Sequence, residues 1–278
     1  MEKTAIYYDE AYGKVHSSQK LDLYEPSVEE VSPDKKFPLL VYVHGGFWMD
    51  RDKSDYVEMG RLFASHGYMV AVVNYRLSKQ AHKTPIRYPV HNNDFAESLR
   101  WLVDNRDDYR YDVNNITLIG HSCGGHMIAC LSMQPNQYAS LAEIQGQYKI
   151  TRCIGIQGIY DMQQLNTDFP DYKENISFVF NNDDVEQWES PQRFTPIDDN
   201  NKNSVSAIKW LLVHSPADKL VNSVQTKNFE QRLQSTWNSK VEILDSFEAT
   251  HFEVVIKLGD VEHKSLETVR ESILKFLL

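Results

Sequence analysis

The sequence predicts an α/β fold, a mostly parallel central sheet with helices on both faces, and two observations carry that prediction. Short β-rich apolar runs recur along the chain, separated by longer stretches with helical spacing, the alternation from which βα units are built. Most of these runs are continuously apolar, as strands covered on both faces tend to be. With 278 residues, 41% of them hydrophobic and 24% charged, the chain can bury one large core. Residues 1–278 are therefore read as a single domain.

Taken in order, the alternating segment Gln19–Tyr24 predicts an antiparallel edge strand, followed by a charged loop over 27–36. Strands are expected at Pro38–Val43 and Tyr68–Val73. Phe95, Leu99, Leu102 and Val103 then fall at i, i+4, i+7 and i+8, which predicts a helix beginning near Asn93 or Asp94. A strand at Ile116–Ile119 leads to a helix carrying Met127, Ile128 and Leu131. After a strand at Cys153–Ile156, residues 161–203 hold Pro170, Pro191 and Pro196, scattered aromatics and no strong period. That stretch reads as an insertion of short helices and loops over the sheet, a small cap. Strands at Trp210–Val213 and Val241–Leu244 follow. Phe229 with Leu233 marks one later helix, and Leu266, Val269, Ile273 and Phe276 mark the last.

Composition narrows the function. Lys plus Arg total 29 against 39 Asp plus Glu, a net charge of −10 that disfavours nucleic acid as partner. Mean hydropathy is −0.50, and no apolar run approaches the ~20 residues of a membrane span. The charged start has no apolar h-region, so no secretory signal is expected. Three cysteines, none in a Cys-x-x-Cys pair, fit a reducing, cytoplasmic setting. Ten histidines show no metal-ligand spacing, so neither metal nor cofactor is expected. The expected partner is a small-molecule substrate, with the chain a monomer or homodimer.

The chemistry concentrates at Gly120-His121-Ser122-Cys123-Gly124, a Gly-x-Ser-x-Gly set directly after a strand and directly before a helix. In that context the pentapeptide reads as a nucleophile elbow rather than a glycine-rich turn with a bystander serine. The chain must reverse so tightly that side chains at positions 120 and 124 would collide with their neighbours, and the turn lifts Ser122 to a helix N-terminus. Independently, His44-Gly45-Gly46-Phe47-Trp48 follows another strand. Adjacent glycines let backbone N–H groups converge on one point, so Gly45 and Gly46, with the N–H of Cys123, are assigned to an oxyanion hole. The Cys123 side chain is read as a small packed group.

A serine needs a histidine base, and the base needs a carboxylate to fix its tautomer. Of the histidines after Ser122, His126 lies in the elbow helix, His214 ends a strand and His263 sits in a charged stretch. His251 follows the last strand after a loop, where a base should arrive. Asp218, just beyond the penultimate strand, is the expected acid, with Asp245 and Glu248 as fallbacks and helix capping as its ordinary alternative use. Trp48, Tyr160 and Phe178 are candidates for an aromatic acyl or leaving-group pocket.

The elbow, the His-Gly-Gly-x-Trp loop and the order Ser122, Asp218, His251 together resemble the α/β-hydrolase superfamily in its hormone-sensitive-lipase-like esterase branch, from about Leu21 onward. Within that branch the chain is most similar to the kynurenine formamidases, the fungal type in particular. The cues are Gly158-Ile159-Tyr160-Asp161, Asp168-Phe169-Pro170-Asp171-Tyr172, Glu189-Ser190-Pro191, Leu212-Val213-His214-Ser215 and His251-Phe252-Glu253-Val254-Val255. It departs at Cys123 and Gly125, where alanines are usual, and at Ala249-Thr250. The resemblance implies hydrolysis of N-formyl-L-kynurenine to L-kynurenine and formate in tryptophan catabolism. A carboxylesterase for short acyl or acetyl esters is the alternative enzyme, and a non-catalytic binding module of the same fold the alternative of another class.

Overall fold

Eight strands form one sheet in a computed structural model that describes residues 5–26, 35–79 and 84–278. They are β1 (Ile6–Ala11), β2 (Lys20–Tyr24), β3 (Phe37–Val43), β4 (Met69–Val73), β5 (Tyr111–His121), β6 (Ile150–Ile156), β7 (Lys209–Val213) and β8 (Lys240–Leu244). Their spatial order is β1-β2-β4-β3-β5-β6-β7-β8. The first two pairings, β1 with β2 and β2 with β4, are antiparallel and the rest parallel.

The apolar runs are strands because both of their faces are covered. Along β3, Leu39, Val41 and Val43 enter one core while Leu40 and Tyr42 enter the other. The same period of two divides Met69, Ala71 and Val73 from Val70 and Val72 in β4, and Trp210 and Leu212 from Leu211 and Val213 in β7. The first core is closed by the helices Val90–Asp104, Cys123–Met133 and Ser223–Trp237, and the second by Val57–Ser65 and Glu267–Leu277. No helix among the described residues is long and apolar enough to cross a membrane.

Two expectations change. The antiparallel strand at Gln19–Tyr24 forms as β2 but lies one place in from the edge, because β1 covers it. β1 hides from pattern reading since most of its side chains are exposed and its pairing slips between Tyr7 and Glu10, where Asp9 has φ 61°. The helix expected from Asn93 or Asp94 starts at Val90 instead. Asp94 is no cap there: it is buried, and its carboxylate accepts from Arg76 Nη2 at 2.6 Å, Arg76 N at 2.9 Å and Gln19 Nε2 at 2.9 Å. Most of the charged loop over 27–36 lies outside the described residues.

From β3 the chain steps to β4 on one side and later returns to β5 on the other, so the crevice beyond the carboxyl ends of β3 and β5 is a topological switch point. Register fixes what meets there. Val43 lies opposite Gly120, so the loop opening at His44 and the turn opening at His121 emerge side by side. Within 161–203 the chain forms the short helices Met162–Asp168, Lys173–Phe180 and Asp199–Ser206, with one 3₁₀ turn between the first two and two between the second and third.

Asp94 joins the segment after β4, the segment before β2 and the helix of the first core. Asp94→Ala strands the Arg76 guanidinium and the Gln19 amide, and the expected loss is about 3–5 kcal/mol of unfolding free energy by urea titration. A loss under about 1 kcal/mol would show that this buried pair is not a structural tie.

Candidate active site

Ser122 sits at the tightest point of the β5-to-helix crossing, with φ 55° and ψ −120°, a left-handed backbone that only strong surroundings impose on a serine. Those surroundings are hydrogen bonds on both sides: Ser122 N donates to Ile156 O at 3.0 Å, and Ser122 O accepts from Gly125 N at 2.9 Å and Ile159 N at 3.1 Å. Glycines are required beside it because backbone fills the space. A Cβ on Gly120 would run into the Gly124 carbonyl, and one on Gly124 would run into the Val43 carbonyl.

The loop after β3 packs against that turn. The vacant Cβ direction of Gly45 ends 2.9 Å from Ser122 Cβ and 2.7 Å from His121 Nδ1. Its peptide orientations follow from who holds the carbonyls. Tyr75 Oη donates to His44 O at 3.1 Å and lies 3.3 Å from Gly45 O, and His44 Nδ1 donates to Gly45 O at 2.8 Å. In a trans peptide the N–H points opposite to the C=O, so the N–H groups of Gly45 and Gly46 are turned away from Tyr75. Gly46 reaches its position with φ 100°, and Phe47, Trp48 and Arg51 also take positive φ. Trp48 N donates to Cys123 Sγ at 3.3 Å. The Cys123 side chain therefore packs into this loop, and burial pushes its thiol up to about 11, so it stays protonated at neutral pH. At the far end Lys53 Nζ pairs with Asp22 at 2.7 Å and Asp9 at 2.9 Å, and Asn74 Nδ2 donates to Asp52 at 2.6 Å.

Asp218 and His251 are brought together. His251 Nδ1 is 2.7 Å from Asp218 Oδ2, and both side chains are nearly or wholly buried. The other carboxylate oxygen accepts from Leu220 N at 2.8 Å and Val221 N at 3.1 Å, so Asp218 shapes its own loop while facing His251. Asp245 and Glu248 make no bond to His251 among the described residues. Two ties missed at the level of sequence set the distance. Ser215 Oγ accepts from Ala217 N at 3.1 Å and from Ala249 N at 2.9 Å, clamping the acid loop to the histidine loop. His121 Nε2 donates to His251 O at 2.8 Å, with the two rings 4.6 Å apart, which docks the histidine loop on the elbow itself. No direct hydrogen bond joins Ser122 Oγ to His251 among the described residues.

The aromatic expectations need correction. Trp48 and Tyr160 are fully buried, so neither offers a surface to a ligand. Trp48 turns inward against His126 at 5.3 Å and Phe180 at 5.7 Å, and Tyr160 stacks on Phe229 at 4.1 Å. Phe178 lies in the helix Lys173–Phe180 beneath the Arg87 guanidinium, 3.7 Å from its carbon. The aromatics that border the site are others, all partly exposed. Phe47 meets Tyr172 edge-on at 5.3 Å, Tyr172 stacks on Phe169 at 5.2 Å and its hydroxyl donates to Leu220 O, and Phe252 lies 5.0 Å from His251. For Phe169 and Tyr172 the signal was the aromatic and proline cluster inside an otherwise aperiodic insertion.

Burial also depresses the histidines around the elbow. His44, His121 and His214 fall below the ordinary imidazole range, His126 falls to about 4 and His91 to about 3, each mainly because a charged ring would lose its hydration.

The BD-FAE family model matches residues 21–233. Esterase LipC of Mycobacterium tuberculosis is 26% identical over 227 residues, 79% of this chain and 54% of LipC. A kynurenine formamidase of Drosophila melanogaster is 27% identical over 173 residues, 62% of this chain and 48% of that protein. The chain thus spans about half the length of these two relatives. A truncated carbohydrate esterase from gut microbiota superposes with a TM-score of 0.75 at 17% identity, over 99% of this chain and 95% of that one. The fold is the α/β-hydrolase fold.

Each depressed histidine regains an ordinary pKa near ~6.5 on unfolding. Below that pH the unfolded chain binds more protons than the folded one, so stability falls by about 1.4 kcal/mol per pH unit for each such histidine, down to its folded pKa. The urea midpoint should be flat above pH 7 and drop between pH 6.5 and 5, where carboxylates are still ionised. An unchanged midpoint over that interval would contradict the neutral, buried rings.

Proposed function

The chain belongs to the BD-FAE family, and from that premise we propose that it is a serine hydrolase whose preferred reaction is removal of formate from an aryl formamide such as N-formyl-L-kynurenine. It is a relative of the kynurenine formamidases within the hormone-sensitive-lipase-like branch of the α/β-hydrolases. The observation that carries the reading is the Asp218–His251 pair held at 2.7 Å beside an elbow serine. With Nδ1–H given to Asp218, the neutral ring keeps its lone pair on Nε2, the form a general base needs.

In this reading Ser122 Oγ attacks the formyl carbonyl as His251 Nε2 takes its proton, and the N–H groups of Gly45, Gly46 and Cys123 receive the oxyanion. The carbonyl orientations set by Tyr75 and His44 support the first two donors. His251 then protonates the departing arylamine, and a water activated by the same ring releases formate from the formyl-serine. An anilide nitrogen shares its lone pair with its ring, so its amide is weaker than an alkyl one. The Ser–His bond need not be closed without substrate, since such bonds tighten in the reactive complex. A formyl group needs almost no acyl pocket, which suits a site whose expected pocket aromatics, Trp48 and Tyr160, are sealed in the core. Similarity to esterase LipC favours a second reading, a carboxylesterase for short acyl esters.

Ser122→Ala and His251→Ala should each lower kcat by about 10⁴-fold or more, and Asp218→Asn by about 10⁴-fold, without change in the circular dichroism spectrum. An active-site fluorophosphonate should label Ser122 alone by peptide mass spectrometry, and label elsewhere would refute the elbow assignment. Formanilides cleaved faster than acetanilides and p-nitrophenyl butyrate support the formamidase; the reverse ranking selects the carboxylesterase. Gly45→Ala, whose methyl must displace Ser122 or His121, should reduce turnover by about 10²–10³-fold.

A further inference from the structure

Arg51 stands in a conformation that suits glycine, with φ 82°. Positive φ is uncommon for a residue other than glycine, and such strained residues cluster at functional sites. Its stem lies against Gly46, whose vacant Cβ direction ends 2.9 Å from Arg51 Cγ. Its guanidinium carbon is 4.1 Å from the centre of the Phe252 ring, and that ring is 5.0 Å from His251 and 5.6 Å from His121. The cation is therefore fixed between the oxyanion loop and the histidine loop. It is weakly paired: Asp55, its salt-bridge partner among the described residues, approaches only to 3.8 Å, the Nε donor is buried without an acceptor, and the side chain keeps 30% of its surface exposed. A purely structural arginine would use its donors. This one lies over the Phe252 ring, which holds the guanidinium in place and leaves its exposed part available to an anion.

We propose that Arg51 binds a carboxylate on the leaving-group portion of the substrate, so that the enzyme prefers substrates whose departing amine or alcohol carries an acid. The placement follows from Phe252, whose ring contacts both the guanidinium and the histidine that hands its proton to the leaving atom. The inference rests on the serine-hydrolase reading given above and deepens it, since the amino-acid portion of N-formyl-L-kynurenine carries such a carboxylate.

The test compares two pairs that differ only in that charge: N-formyl-L-kynurenine with its α-methyl ester, and 4-acetoxybenzoate with its methyl ester. The full chain and its Arg51→Gln and Arg51→Lys variants are assayed on each. The wild type should favour the acid in the pair it hydrolyses, and Arg51→Gln should shrink the ratio of kcat/KM for acid over ester by about 10- to 100-fold, mainly through KM, the range of one charged hydrogen-bonded contact. Arg51→Lys should restore part of the ratio. A ratio unchanged by Arg51→Gln in a folded protein overturns the role of Arg51 and leaves the hydrolase standing. Hydrolysis of neither pair by the wild type, with no labelling of Ser122, overturns the hydrolase and this inference with it.

Discussion

The close approach of two backbones at the carboxyl ends of β3 and β5 is the constraint on which the rest of the site depends. Those strands are parallel neighbours with Val43 opposite Gly120, so the chain leaving each must turn in nearly the same space. The Val43 carbonyl occupies the place where a Gly124 side chain would stand, and Gly45 lies against Ser122 in turn. Steric exclusion, rather than any attractive contact, selects glycine at these positions. It also forces the left-handed backbone of Ser122, which its ties to Ile156 and Ile159 on the next strand and loop then hold.

Around this crossing the polar groups are arranged so that nothing charged is buried without cause. The rings of His44, His121 and His126 each donate one N–H to a backbone carbonyl and remain neutral. Neutral rings can pack at 4.5 Å against Tyr75 or 4.6 Å against His251 without the desolvation penalty of an imidazolium. They work as spacers with a directed donor. His121 is the informative case, because one side chain belongs to the elbow and holds the loop that carries His251. The buried carboxylate of Asp218 is offset differently, by two backbone N–H groups and one imidazole.

The segment 161–203 adds a third boundary. Tyr172 reaches the acid loop through Leu220 and the oxyanion loop through Phe47, and Asn222 donates to Asp168 at 2.7 Å. Its short helices bury only a few side chains each, Met162 and Leu165 in the first, Ile176 and Val179 in the second and Val205 in the third. So narrow a buried face explains why the segment lacks a helical period.

The sequence by itself determined whatever is encoded within a few residues of its effect. Continuous apolar runs specified the parallel strands, since burial on both faces depends on local composition, and Gly120 to Gly124 between a strand and a helix specified the elbow. The chain order of Ser122, Asp218 and His251 selected the polar trio. Tertiary structure decided what depends on register between distant segments. His121 meets a carbonyl 130 residues away, Ser215 joins two loops more than 30 residues apart, and Tyr75 turns the carbonyls of His44 and Gly45 from the neighbouring β4 side. It also settled which aromatics face inward, because Trp48 and Tyr160 look no different in composition from Phe47 and Tyr172 until the sheet fixes the direction in which each backbone presents them.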